Sequence, residues 1–282
     1  MSQIEKYSEF ETAWCPGCGN FSILKALKKA LAQLELDPHQ FCLVSGIGQA
    51  AKTPHYLLCN GYNGLHGRSL PSAQAIKLAN PELEVIAVSG DGCHYGEGGN
   101  HFLAALRRNM DITMLAHDNQ IYGLTKGQAS PTTAQGQKTK TQPFGAPSMA
   151  FNPVAVAVTM HANFVARGFA GEVDHLAGLI AQAVQHKGFA MVDILQPCVS
   201  FNKVNTHGWY KERCYKLDDS YDPTNWEAAM HKAQEFGDAI PIGVLYTNDR
   251  PSFFEGLPVE PTVLARQEPD KEALRKIFMS YA

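Results

Sequence analysis

The sequence predicts an α/β protein in which a parallel sheet is flanked by helices. Three observations carry this. Short apolar runs recur at 41–45, 85–89, 112–116, 164–169, 190–195 and 240–246. Helical stretches of ten or more residues lie between them, the spacing of crossovers between parallel strands. The first three runs lead into Gly46, Gly90 and the pair Asp118-Asn119, where strands turn into loops. No composition break or internal repeat divides the chain, so we read residues 1–282 as one domain with a C-terminal extension from about His207.

In chain order, the first helix has Ile23, Leu24, Leu27, Leu31 and Leu34 on one face and Lys25, Lys28 and Lys29 on the other. Pro38 closes it. The strand at 41–45 follows, and Cys42 on it should point into the core. Gly61-Tyr62-Asn63-Gly64 has turn composition. After the strands at 85–89 and 112–116, residues 123–153 are polar, rich in Thr, Gln, Gly and Pro, and aperiodic. A connection that long usually serves a function. Residues 172–187 then form a helix with Val173, Leu176, Leu179, Ile180, Ala183 and Val184 on its apolar face and Gly188 at its end.

Composition narrows the function. A chain of 282 residues, 45% apolar, can bury a core without disulfide staples. With 24 basic and 27 acidic residues the net charge is -3, and no Lys/Arg run offers a footprint for nucleic acid. No segment approaches the ~20 apolar residues that span a bilayer. The N-terminus lacks the apolar core of a signal peptide. A cytoplasmic protein is expected. Seven cysteines, odd in number and sparse, argue against a disulfide scaffold.

Chemistry concentrates at two places. Gly90-Asp91-Gly92 puts an exposed carboxylate at the C-terminal edge of the sheet, where α/β proteins place ligands. Asn119 ends the next strand, so both should reach one edge. A carboxylate and an amide oxygen suit Mg²⁺ bound with phosphates. The glycines of 96–99, opening a helix, could offer amides to the same phosphates. The second place is Cys15-x-x-Cys18. Such a pair can bind zinc, form a redox dithiol, hold a cluster, or be an accident. No second pair lies near enough for structural zinc, and no strand precedes Trp14 as a redox dithiol would want.

Gly90-Asp91-Gly92 followed by Asn119 resembles the thiamine-diphosphate motif. Segments 14–19, 45–48, 65–68, 98–102, 107–112, 121–133, 196–202 and 240–246 extend the likeness over almost the whole chain. Together they resemble the β subunit of the 2-oxoacid:ferredoxin oxidoreductases in the short two-subunit form. The resemblance implies a thiamine-diphosphate-binding fold with Mg²⁺ held by Asp91, Asn119 and the main-chain carbonyl of Ile121. It implies that Gly46, Ile47, Gly48, His66, Gly90, Gly92, Gly123 and Leu124 also line the cofactor site. It places a 4Fe–4S cluster on Cys15, Cys18 and Cys198, four thiolates being the usual complement.

The chain departs from the family twice. Gln49 stands where the family's third cluster cysteine follows the Gly-Ile-Gly turn, and Cys59 is the best replacement if residues 50–58 fold back. Cys93 stands where a second carboxylate often follows the Gly-Asp-Gly turn. Cys214 has no motif around it. The resemblance puts His66 near the cofactor. Arg68 would clamp a carboxylate or phosphate, and Lys52 and Lys126 would bring positive charge to the substrate, making these four the catalytic candidates. His94 should sit beside the Gly-Asp-Gly turn, and His101 should pack on a helix.

The implied reaction is oxidative decarboxylation of a 2-oxo acid with coenzyme A as acceptor and electrons passing through the cluster to ferredoxin. Lys126 favours 2-oxoglutarate over pyruvate. The family draws the aminopyrimidine site and its activating Glu from an α subunit, and no such Glu is evident here, so a heterodimer is expected and the chain alone should be inactive. Two other readings stay open: a thiamine-dependent non-oxidative decarboxylase and a non-enzymatic iron–sulfur electron carrier.

Overall fold

The computed structural model describes residues 4–8, 10–258 and 260–281. Its centre is an eight-stranded sheet in the order β2-β1-β3-β4-β6-β5-β8-β7. Four adjacent strands, β1 (Phe41–Ser45), β3 (Glu84–Gly90), β4 (Ile112–Asp118) and β6 (Phe189–Leu195), are nearly continuous apolar runs, as strands covered on both faces must be. They run parallel, and β5 (Phe164–Phe169) joins β6 in the same sense.

Side chains alternate between two cores. Leu43, Ile86, Val88 and Val192 pack with Ile23 and Leu27 of α1 (Gly19–Gln33) and with Leu176 and Ile180 of α5 (Val173–Gln185). Cys42, Val44, Val85 and Met114 face the other way. They meet Leu70 of α2 (Ser69–Ala79), Phe102 of α3 (Gly99–Arg108) and Val154 of α4 (Pro153–Thr159).

Three features differ from the sequence reading. Asn60–Asn63 is β2, parallel to β1, rather than a turn. Its four residues are exposed, so an edge strand with no buried face left no apolar pattern to read. The residues after 207 complete the sheet: α6 (His207–Arg213) and α7 (Trp226–Gln234) accompany β7 (Cys214–Lys216) and β8 (Ile240–Thr247). β8 is antiparallel to β5, so the sheet is mixed. Finally, α1 stops at Gln33, with Glu35 at φ +56°, before Pro38 is reached. The last helix, α8 (Lys271–Ser280), buries none of its residues. No helix among the described residues is long and apolar enough to cross a membrane.

Because β1, β3, β4 and β6 are parallel, the loops after Ser45, Gly90, Asp118 and Leu195 emerge at one edge. The candidate site is built there.

Candidate active site

β3 and β4 pair with Gly90 opposite His117, so the chain reaches Asp91 and Asp118-Asn119 side by side. Asp91 opens a π-helical turn, Gly92–Glu97, that leads into α3. One cavity is lined by Asp91, Asn119 and Ile121 together with Ile47-Gly48, His66 and Gly123-Leu124. Gly90 and Gly92 line it as well. A side chain at Gly92 is excluded, since a Cβ there would come within 2.1 Å of the Tyr122 ring. Gly46 lies just outside the lining, its N–H donating to Ser89 Oγ at 2.9 Å.

The carboxylates behind this cavity are buried. Asp91 is only 2% exposed, not the exposed carboxylate expected. Burial pushes its pKa up to about 6, against hydrogen bonds from Ser130 and Thr132 that pull it down. Asp118 is pushed well above the usual carboxylate range by burial and then by Asp193 and Asp91. Burial also raises Asp193 to about 6, while the Arg167 guanidinium and the Tyr95 hydroxyl, 2.8 Å away, oppose it. Thr132 Oγ1 is 2.7 Å from Asp91 Oδ2 and 2.7 Å from Asp118 Oδ1. One hydroxyl carries one proton. The Thr132 hydroxyl can donate to only one of the two at a time, and Asp118 Oδ1 also accepts the Gln120 N–H at 3.2 Å. Of the two carboxyls, burial and neighbouring acids push Asp118 the further above the usual range, while Asp91 lines the cavity.

Asn119 holds the next loop. Its Oδ1 accepts the Ile121 N–H at 3.0 Å, an Asx turn, and both residues line the cavity. Under the turn, His94 and His117 are buried and neutral, each lowered to about 3 by burial. His117 Nδ1 is 2.8 Å from Asn20 Oδ1, and neither ring nitrogen of His94 has a partner.

A second cavity adjoins the first. Cys15, Cys18 and Cys198 line it with Trp14, Asn20 and Gln196. Gln49, Asn119 and Gly123 line both cavities and form the wall between them. Burial raises the Cys18 thiol, Cys198 and Cys15 add to the rise, and Gln196 Nε2 donates to its sulfur at 3.6 Å. Thiols that would repel one another as thiolates suit a positive centre that takes up their charge.

Cys59 does not join this group. After the 3₁₀ turn Ala50–His55 the chain returns to the start of β2, where Asn60 pairs with Cys42, so Cys59 lies toward the opposite end of the sheet from the loops of the site. Cys59 packs at the first core, its Sγ 3.9 Å from the Pro54 carbonyl, and burial and Cys42 push its thiol up to about 12. Cys42 is buried as expected. Cys93 accepts the Gly67 N–H at 3.1 Å, and Cys214 lies on β7.

Among the described residues no group of three or more His, Cys, Asp or Glu side chains is arranged to hold a single metal ion. The Asp91, Asn119 and Ile121 set draws on an amide and a main-chain carbonyl. A cubane cluster binds its ligands at separate corners, so its cysteines need not converge on one point.

Of the four catalytic candidates only His66 lines the cavity, with Nδ1 buried and unpartnered and its ring 6.1 Å from Tyr122. Arg68 is exposed, donating to the Glu97 carbonyl at 3.4 Å. Lys52 is half-buried on the 3₁₀ turn. Lys126 is exposed at φ +75°, one residue past Thr125 of the lining. His101 is half-buried on α3.

Sequence reasoning missed Thr132, Tyr122, Asp118 and Asp193. Thr132 lies in the connection 123–153, whose unusual length was the available signal, and Tyr122 stands just before it. Asp118 and Asp193 end or lie in apolar strands, where a lone acid invites attention.

Residues 42–194 match the model of the thiamine pyrophosphate enzyme C-terminal TPP-binding domain, and residues 198–260 match that of the C-terminal part of the pyruvate ferredoxin oxidoreductase beta subunit. The beta subunit of 2-oxoacid:ferredoxin oxidoreductase 1 from Aeropyrum pernix is 48% identical over 259 residues, 88% of this chain and 81% of that one. The chain belongs to the 2-oxoacid:ferredoxin oxidoreductase beta subunits. Another such beta subunit, from Saccharolobus solfataricus, is 48% identical over 255 residues, 86% of this chain and 84% of its own. A solved 2-oxoglutarate:ferredoxin oxidoreductase from Magnetococcus marinus, with 2-oxoglutarate, coenzyme A and succinyl-CoA bound, superposes with a TM-score of 0.89 at 34% identity, covering 98% of this chain and 96% of that one. As a 2-oxoacid:ferredoxin oxidoreductase beta subunit, the chain is part of an oxidoreductase, carries the thiamine-diphosphate-binding domain and implies an alpha subunit as partner.

Proposed function

We propose that this beta subunit, joined to an alpha subunit, catalyses the CoA-dependent oxidative decarboxylation of a 2-oxo acid and passes the electrons through a 4Fe–4S cluster to ferredoxin. The observation that supports this most is the shared wall: the cavity holding Asp91, Asn119 and Ile121 abuts the cavity holding three cysteines. Thiamine diphosphate, when bound, supplies the carbon nucleophile and the electron sink.

The residues fit that group. Asp91, lining the cavity, offers its carboxylate to Mg²⁺. The Asn119 oxygen spends one lone pair on the Ile121 N–H and has a second for the metal. The Ile121 carbonyl completes the protein donors. Backbone at Gly48, Gly90 and Gly92 allows close approach of a diphosphate. His66 faces the same space with an unsatisfied nitrogen. Cys15, Cys18 and Cys198 hold the cluster. Lys126, exposed at the lip, is placed to meet the far carboxylate of a dicarboxylic substrate, and the bound 2-oxoglutarate of the Magnetococcus relative supports that preference.

The test is CoA-dependent reduction of ferredoxin with a panel of 2-oxo acids, run on the chain alone and on the chain with its alpha subunit. Only the complex should turn over, and 2-oxoglutarate should outpace pyruvate. Turnover by the lone chain rejects the split site. Equal use of both acids, unchanged in Lys126→Ala, rejects the role of Lys126.

A further inference from the structure

We propose that Gln49 presents its side-chain carbonyl oxygen as the fourth, non-cysteine group of the iron–sulfur site, so that one iron is held more weakly than the rest. This rests on the reading of Cys15, Cys18 and Cys198 as cluster ligands. Gln49 lines the same cavity as those three thiols. Its Oε1 is buried and has no hydrogen-bond partner. A buried acceptor without a donor is costly to keep, and a metal is one group that satisfies it.

The position of Gln49 is held from behind. The Trp14 indole N–H donates to its carbonyl at 2.8 Å, and the Lys52 N–H reaches the same oxygen at 3.3 Å. No other described cysteine can serve. Cys59 packs beside Cys42, Cys93 is engaged by the Gly67 N–H, and Cys214 lies on β7. The donor set is therefore three soft thiolates and one hard oxygen. Thiolates suit iron–sulfur clusters and an amide oxygen binds them less firmly, so the iron facing Gln49 leaves first.

Loss of that iron to a one-electron oxidant such as ferricyanide is balanced. [4Fe–4S]²⁺ gives [3Fe–4S]⁺, one Fe²⁺ and one electron, and the electron reduces ferricyanide to ferrocyanide. The three cysteine bonds stay intact.

The experiment uses the complex with the alpha subunit, purified without oxygen, with iron and sulfide counts and EPR spectra before and after ferricyanide. The wild type should lose about one iron in four and gain the three-iron signal. Gln49→Cys, which closes the thiolate set, should keep its iron under the same treatment. Gln49→Leu should already show the three-iron signal as isolated. A wild type that resists the oxidant, with Gln49→Leu indistinguishable from it, overturns the role of Gln49. If Cys198→Ser loses its iron in that same case, the cluster reading stands without it. A wild-type complex free of iron overturns both.

Discussion

Asp91→Asn should stabilise the metal-free protein while destroying its hold on Mg²⁺. The carboxyl is 2% exposed, and burial raises its pKa from 3.8 to about 6. Below pH 3.8 the group is protonated in both folded and unfolded chains and costs nothing. Between 3.8 and about 6 the unfolded chain ionises while the folded one does not, so stability falls as pH rises. Above that window the loss is constant. At ~1.4 kcal/mol for each step of one in pKa, the gap is of order 3 kcal/mol. Asn keeps an acceptor for Thr132 and carries no charge, so it removes much of this loss, roughly 1–3 kcal/mol given the neighbouring acids. Domains of this size gain about 2–4 °C in melting temperature per kcal/mol. In chelator at pH 8 the variant complex should therefore melt several degrees above the wild type, and about half of the advantage should remain at pH 5. With Mg²⁺ and thiamine diphosphate in excess the order should reverse, because only the wild type gains from binding. A metal-free variant melting at or below the wild type at pH 8 would refute the reasoning.

Gly92→Ala should lower stability by about 1–3 kcal/mol through overpacking, because the new methyl meets the Tyr122 ring. Calorimetry should also show weakened cofactor binding, since Tyr122 can yield only by moving the loop at 119–124; unchanged affinity would count against the role of that loop. Cys59→Ser should leave iron content and EPR spectrum as in the wild type, whereas Cys198→Ser should change both. An altered spectrum in Cys59→Ser would return Cys59 to the ligand set.

Most of the sheet was legible because buried parallel strands are apolar throughout, and the runs at 41–45, 112–116 and 164–169 begin where β1, β4 and β5 begin. β2 was not legible, since the four exposed residues of an edge strand look like a turn. Gly90, Asp91 and Asn119 were legible as one sheet edge from the strand ends, and Ile121 through the family resemblance, and one cavity is lined by all four. Thr132 was not, because its importance lies in the distance between two acids that are far apart in sequence. Cys59 was misplaced for a related reason. Spacing along the chain says how far a thiol can reach, while the entry of β2 into the sheet decides where it goes.

The wall between the two cavities is made by Gln49, Asn119 and Gly123. Two amides and a glycine hold no group that titrates in water near neutrality. If the proposed cofactor and cluster are bound, electrons passing between them cross residues that offer no titrating relay for protons. A proton released on the cofactor side would then leave by another route, past His66, which lines that cavity.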